Sequence, residues 1–246
     1  MQEPLYDLPI FMLLYALLLL AGLTLALFLF SLIIRSINIR NERREATLKE
    51  KYYPIIFEYL EDAEENRAEE VLNKIGHSTF DYYVLEIILK ELIDQVDGED
   101  DRKLREFLFI EPIYQRHVKQ LNSKKDSEKL KACLYFSYAR KVNHQLIVKL
   151  RQLLHHPNHF LAFSAASAMM ASGNVNVRAE ALGHISTFHS ISEMGLLELL
   201  YKFHNDHEDQ RDLEAFYLIK LISNADIEQV NRALLIRGVS EMNYVA

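Results

Sequence analysis

The chain has 246 residues, half of them hydrophobic, with a formal net charge of −7 and a single cysteine. Its seven glycines and five prolines are too few for the many turns of a β-sandwich or barrel, so the composition favours an all-α fold. Cys133 alone cannot form an internal disulfide or a paired-cysteine zinc site. From Tyr52 onward, 22 basic and 30 acidic residues leave a net charge of −8, which disfavours nucleic acid as a partner.

The N-terminal segment is predicted to cross a membrane. No charged residue occurs from Leu8 to Ile34, and this stretch is longer than the roughly 20 residues that span a bilayer core. Eighteen of its positions are Leu, Ile or Phe. At about −0.5 kcal/mol each they favour insertion by very roughly 9 kcal/mol, before the unfavourable contributions of its few polar residues are subtracted.

A cleavable signal peptide is the alternative interpretation of this segment. It would need a basic start, a shorter apolar core of about 7–15 residues and a small-residue cleavage site. The start instead carries Glu3 and Asp7, and the apolar stretch is too long. The sequence therefore predicts an uncleaved transmembrane anchor with a short N-terminal tail over residues 1–34.

The charges on either side of the apolar stretch predict its orientation. No Lys or Arg precedes it, whereas several bases follow it closely, including Arg35, Arg40, Arg43 and Arg44. Because such bases concentrate on the cytoplasmic side, we expect a single-pass protein with its N-terminus outside and its C-terminal domain in the cytoplasm. The same bases are candidates for contact with anionic lipids at about 1 kcal/mol each, but a topology signal is the preferred interpretation.

A charged segment over residues 35–51 has no helix breaker and is predicted to continue the anchor as a juxtamembrane helical stalk. Residues 52–246 then form the predicted soluble domain, in which apolar residues recur at helical spacing. An acidic turn at 97–101 is expected to end one of its helices. In chain order the predicted helices cover 52–60, 68–75, a segment from a cap at Ser78 or Thr79 toward Val96, a short segment to Ile110, then 112–121, 127–140, 143–155, 159–171, 177–188, 192–203, 209–222 and 226–236.

The segment LRQLLHHPNHFLAFSAASAMMASG, residues 150–173, resembles a HEAT repeat, with an apolar first helix, a turn containing Pro and Asn, and an alanine-rich second helix. Alanines allow close approach to a neighbouring helix. The following stretch NVNVRAEALGHIS is similar to the start of another repeat. The residues expected to pack in this segment are Leu153, Leu154, Leu161, Ala162, Ala165, Ala166, Ala168 and Met169.

A second similarity relates SEKLKACLYFSYARKVN to NHFLAFSAASAMMASGNVN about 31 residues later, a spacing within the range of two-helix repeats. Asn158 stands where the HEAT family usually has Asp, and the recurrent basic position is not evident, so armadillo-like and TPR-like superhelices stay open. The resemblance implies an α-solenoid of antiparallel helix pairs whose concave face binds another protein.

Two histidine clusters are the candidates for metal ligands. His155, His156 and His159 surround a predicted turn, where their side chains should point to different sides. The second cluster lies in a polar stretch that is typical of an interhelical loop, and comprises His204, Asp206, His207 and Glu208. We therefore expect no metal at either place.

Enzyme activity is not indicated by any motif in the chain. The nucleophile-elbow, Walker A, dinucleotide-binding and zinc-protease patterns do not occur, and Cys133 lies on an apolar face where a buried position is expected. The acidic pairs Glu64–Glu65 and Glu69–Glu70 are expected to be solvated. Aromatic groups at 52–54, 81–84 and 134–138 could furnish a binding interface, but most of their side chains are expected to lie in the core. No cofactor and no small-molecule substrate are predicted.

The sequence thus predicts a membrane-anchored scaffold or adaptor, bound to the lipid bilayer, that holds a protein partner at the cytoplasmic membrane surface. Tethering would raise the local concentration of that partner. From architecture alone, a membrane enzyme complex such as an envelope-polysaccharide glycosyltransferase, or a signalling receptor, is the kind of partner suggested. The alternatives are an enzyme with a concave-face pocket, or self-assembly through the anchor, where Ala21, Gly22 and Ala26 lie on neighbouring turns.

Overall fold

The computed structural model describes residues 7–61, 68–96, 98–189, 191–204 and 210–242. Within these ranges it contains twelve helices and no strand, which confirms the all-α prediction. The chain divides into two compact units, Met1–Ile88 and Leu89–Ala246. The helices are α1 (Asp7–Glu61), α2 (Ala68–Lys74), α3 (Thr79–Ile93), α4 (Glu99–Leu108), α5 (Glu111–Leu121), α6 (Asp126–Ala139), α7 (His144–Leu154), α8 (His159–Met169), α9 (Val175–Ser186), α10 (Glu193–Phe203), α11 (Arg211–Ile222) and α12 (Gln229–Glu241).

Helix α1 is an uninterrupted helix of 55 residues. Every side chain from Phe11 to Arg44 is exposed, and the helix is long and apolar enough to cross a membrane. The predicted helical continuation through residues 35–51 is confirmed, but residues 52–60 are not a separate helix. Pro54 lies inside α1, where it removes one backbone hydrogen bond, and burial of Tyr52, Ile56 and Tyr59 offsets that loss.

The first unit has its core where the end of α1 meets α2 and α3. The Tyr52 hydroxyl donates a hydrogen bond of 3.0 Å to Asp81 Oδ1 and accepts one of 3.2 Å from the Gly76 amide. Ser78 Oγ accepts a hydrogen bond of 3.2 Å from the Asp81 amide, so Ser78 caps α3 as predicted. Asp81 Oδ2 in turn accepts from the backbone amide and the hydroxyl of Ser78. A Cβ at Gly76 would lie 2.4 Å from Asp81 Oδ2, which explains the glycine at this close approach.

The acidic segment after α3 is not only a turn. Glu99, Asp100 and Asp101 form the first turn of α4, because carboxylates interact favourably with the positive end of a helix dipole. Gly98, with φ of 72°, takes the left-handed conformation before the helix begins. The prediction that residues 97–101 form a helix-breaking turn is therefore wrong from Glu99 onward.

The second unit arranges its helices in two layers. Helices α4, α6, α8, α10 and α12 are successive neighbours in one layer, while α7, α9 and α11 are successive neighbours in the other. Hydrogen bonds between neighbours recur at similar sequence separations. Ser137 and Ser167 are 30 positions apart, and Arg151 and Glu180 are 29 apart. The spacing of about one helix pair therefore recurs along the unit, consistent with the internal similarity at about 31 residues.

Helix α8 lies at the centre of the second unit and contacts α6, α7, α9 and α10. All of the alanines predicted to allow this close packing are buried, as are the four larger apolar residues predicted to pack with them. The packing role assigned to residues 150–173 is confirmed. Its assignment to a HEAT solenoid is a separate question.

Candidate functional site

An open groove of about 1120 Å³ runs along the α4–α6–α8–α10 layer of the second unit. Four consecutive members of one layer contribute to it, together with the residues that follow α3 and α8. Its polar lining includes Arg105 from α4, Ser137, Tyr138 and Arg140 from α6 and its C-cap, Ser164 and Ser167 from α8, and Glu198, Tyr201 and Lys202 from α10.

A line of hydroxyl and ammonium groups crosses the groove from α6 to α10. Ser137 Oγ and Ser167 Oγ lie 2.9 Å apart, and Lys202 Nζ donates a hydrogen bond of 2.9 Å to Ser167 Oγ. Lys202 Nζ also lies 2.6 Å from Glu198 Oε1 one turn earlier on α10. These contacts hold three helices in register and leave donors and acceptors along the groove.

At the α4 end, Arg105 is fixed by two groups. Its guanidinium lies 2.6 Å from Asp101 Oδ1 and donates a hydrogen bond to the backbone carbonyl of Tyr138. The ammonium of Lys90 lies 5.3 Å from the centre of the Tyr138 ring, within the range of a cation–π contact. Tyr138 is therefore held through its ring by Lys90 and through its backbone carbonyl by Arg105.

Arg140 forms the rim of the groove at the end of α6. It is exposed and adopts a left-handed backbone conformation with φ of 51°. A side chain other than glycine in this conformation costs roughly 1–2 kcal/mol, and such strain is concentrated at functional positions. The observation marks Arg140 as a candidate binding residue.

A buried ion pair lies beneath the α8–α10 end of the groove. Arg178 Nη2 is 2.6 Å from Glu214 Oε1, and their side chains are only 2% and 0% exposed. Arg178 also donates to the Ser172 carbonyl at 3.0 Å and to Gln210 Oε1 at 3.2 Å. His204 Nδ1 lies 3.4 Å from Glu214 Oε2. The pair joins α9 to α11 and fixes the turn at Ser172, which lines the groove.

The polar side chains of the groove are held by contacts with their neighbours. The Ser137 and Ser167 hydroxyls are bonded to each other, and Ser164 donates to the Phe160 carbonyl. Lys202 is bonded to Ser167 and to Glu198. Tyr201 is half exposed, and its hydrogen bond to Glu241 raises the pKa of Tyr201 above its ordinary value. Tyrosine and arginine side chains, both present along the groove, are enriched at protein interfaces.

The histidines predicted as candidate ligands contact different groups. The rings of His155 and His184 lie 4.3 Å apart, and that of His159 lies 4.9 Å from Phe188. His156 Nε2 faces Asp126 Oδ1 at 3.7 Å instead. Across the described ranges, no three His, Cys, Asp or Glu side chains are placed to hold a metal ion. Of the second cluster only His204 is described, since Asp206, His207 and Glu208 lie outside those ranges.

The residues that flank the apolar stretch have different surroundings. Ile34 is exposed, and Leu8 lies in the helix with its side chain outside the described ones. Arg35, Arg40 and Arg43 are exposed. Arg44 has its guanidinium 4.6 Å from the centre of the Phe80 ring, within the first unit. Arg44 thus contributes to folding as well as to the charge that predicts topology.

Several other predicted features are placed by the structure. Cys133 is fully buried as expected, and burial raises the pKa of its thiol to about 12. Among the aromatic groups, Tyr52, Tyr135 and Phe136 are buried, whereas Tyr83 is about half exposed. Glu70 is exposed. Glu64 and Glu65 lie outside the described residues, and so does the side chain of Glu69.

The sequence pattern did not single out the groove residues. Ser137, Ser167 and Lys202 are ordinary polar residues within amphipathic helices, and no motif connects them. One signal lies close to the serines, because they are 30 positions apart, one less than the offset of about 31 residues between the two similar segments. Comparison with family models, with curated proteins and with solved structures found no match for this chain.

Proposed function

We propose that this chain is a single-pass membrane protein that acts as a scaffold or adaptor and binds a protein partner through its helical-repeat surface. The observation that carries the proposal is the groove, which crosses four successive helices of one layer, on the same chain as an exposed apolar helix long enough to span a bilayer. The first feature supports recognition of an extended protein segment. The second supports attachment to a lipid bilayer.

The bilayer assignment is supported by the complete exposure of the apolar half of α1. Its 18-residue window of greatest hydropathy has a mean value of 2.8 and is 0% buried, so the folded protein does not cover this surface itself. A signal sequence would share that property, but the length of the apolar stretch favours an anchor. The bases after Ile34 support a cytoplasmic C-terminal part.

The solenoid assignment is supported by the layered order of the second unit. Alternate helices are neighbours, and the contacts between them recur at a spacing of about one helix pair, as expected for stacked two-helix repeats. A HEAT-like or armadillo-like solenoid presents one layer of helices as a continuous binding surface. The groove occupies that layer, where Tyr138, Arg140 and Tyr201 would contact the partner.

The experiment places a photo-crosslinking residue at Arg140 or Tyr201 in the full-length protein and irradiates intact cells. We expect one dominant crosslinked protein at both positions. The matched control is Lys131 on α6, whose side chain is 63% exposed and does not line the groove. Equal capture from Lys131, or capture from none of the three positions, would refute binding at the groove.

Two further variants separate the contributions of the groove and the anchor. Tyr201→Ala should reduce capture at Arg140 by about tenfold or more, since exposed aromatic anchors often contribute 2 kcal/mol or more to binding. Phe160→Ala, at an 80% exposed aromatic residue of α8, should leave capture unchanged. Deletion of residues 1–34 should release the protein from membranes and reduce capture. Protease digestion of sealed vesicles then tests which side carries the C-terminal part.

A further inference from the structure

Helix α11 carries apolar side chains on its outer surface that the described residues leave exposed. Leu213, Phe216 and Ile219 are 44%, 57% and 66% exposed. At about 100° per residue, Leu213 and Ile219 each lie about 60° from Phe216 around the helix axis. The inward side already contains buried Glu214 and Leu218, so the helix has a second apolar face. Exposed apolar patches of this kind mark interaction sites.

The order of residues on this outer face is symmetric about Phe216. Three positions before it is Leu213, and three positions after it is Ile219. Four positions before it is Asp212, and four positions after it is Lys220. Asp212 and Lys220 are exposed, and neither forms an ion pair with another described residue. The face therefore has an apolar centre, a negative end and a positive end.

We propose that α11 is the interface of a symmetric homodimer, in which the α11 helices of two copies pack antiparallel about a two-fold axis through Phe216. In this arrangement the two Phe216 rings meet, and Leu213 of each copy packs against Ile219 of the other. Asp212 of each copy lies beside Lys220 of the other at both ends. The interface is self-complementary, as two-fold symmetry requires.

The charges of Asp212 and Lys220 favour an antiparallel second copy of α11 over a parallel one. A parallel pair would place Asp212 against Asp212 and Lys220 against Lys220, and like charges at that spacing are destabilising. The apolar face is narrow compared with the roughly 800 Å² per partner of a stable interface, so the dimer is expected to be weak in dilute solution. Confinement of both copies to one membrane raises their effective concentration. The proposal does not depend on the groove.

The first test is disulfide capture of full-length Phe216→Cys in native membranes after mild oxidation. Two cysteines on the axis of an antiparallel pair are close enough to bond, so we expect a covalent dimer. Arg211→Cys is the matched control, since it is exposed and lies about 140° from Phe216 around the same helix. Native Cys133 is buried. Equal dimer yield from Arg211→Cys and Phe216→Cys, or none from Phe216→Cys, would overturn the proposal.

The second test reverses the charges in the Phe216→Cys background. Asp212→Lys and Lys220→Asp should each lower the dimer yield about tenfold, because each places like charges at both ends. Co-expression of the two variants should restore capture as a mixed dimer, since each then supplies the charge that the other lacks. Failure of the mixed pair to form, or normal capture by either variant alone, would overturn the proposal. Unchanged circular dichroism checks that the helices are intact.

Discussion

The buried pair between Arg178 and Glu214 leads to a quantitative stability prediction. Glu214→Gln keeps the size of the side chain and removes its charge, which leaves a buried guanidinium without its anionic partner. Breaking a buried pair in this way typically costs about 3–5 kcal/mol of unfolding free energy. Arg178 retains its hydrogen bonds to the Ser172 carbonyl and to Gln210, so we expect a value near the lower end, about 3 kcal/mol.

Helix α9, which carries Arg178, also carries one member of a matched control pair, Glu180. Arg151 and Glu180 also form an Arg–Glu pair between neighbouring helices, with Nη2 and Oε2 2.7 Å apart, but their side chains are 42% and 37% exposed. Solvent screens such a pair, and its contribution is about 0–1 kcal/mol. Glu180→Gln should therefore change the unfolding free energy by less than about 1 kcal/mol.

Thermal unfolding of the full-length protein in detergent, followed by far-UV circular dichroism, measures both effects. About 3 kcal/mol corresponds to a decrease of about 6–12 °C in Tm for a domain of this size, and the control should shift by no more than about 4 °C. If Glu214→Gln and Glu180→Gln lower Tm equally, burial does not determine the strength of these pairs and the reasoning fails.

Three further predictions concern single side chains. Burial lowers the pKa of His184, so its neutral form stabilises the fold above the ordinary histidine pKa, and this stability is lost as pH falls through the lowered value. Between pH 7 and pH 5, the unfolding free energy measured by urea titration should fall less for His184→Gln than for the parent protein. An equal fall in both proteins would contradict this prediction. Cys133 should react with iodoacetamide only after unfolding, whereas rapid native labelling would show an accessible thiol. Gly238→Ala places a Cβ 2.4 Å from buried Leu200 Cδ2 and should cost about 1–3 kcal/mol, while Gly173→Ala, which meets nothing within 4 Å, should leave Tm unchanged.

The helical class and most helix positions could be predicted because they depend on local signals. Apolar spacing located the later helices to within a few residues, and Asn143, Asn158 and Ser192 cap α7, α8 and α10 through their side chains. The main errors occurred where local signals compete. Pro54 suggests that a helix ends near residue 54, but α1 continues through this residue because Tyr52 packs against Asp81. Such packing joins residues 29 positions apart, a separation that periodicity does not encode.

The candidate site was much less predictable than the fold. Arg105, Ser167 and Lys202 come from three different helices, and their proximity follows from the layered stacking of the second unit. Buried Arg178 also appears in the sequence as an ordinary charged residue. The pairing that makes its burial possible is with Glu214, 36 positions later. Charge, spacing and motif cannot reveal such pairs until the neighbouring helices are known.

The length of α1 fixes a mechanical relation between membrane and protein. With the apolar stretch in a bilayer, residues 35–61 extend beyond it as continuous helix for about 40 Å, at about 1.5 Å per residue. Deletion of one residue in this segment would shorten the rod by about 1.5 Å and rotate its far end by about 100°. Deletion of seven residues would lower the far end by about 10 Å but change its direction by only about 20°. The length of this helical segment thus sets both the distance of the core of the first unit from the bilayer and the direction in which that core faces.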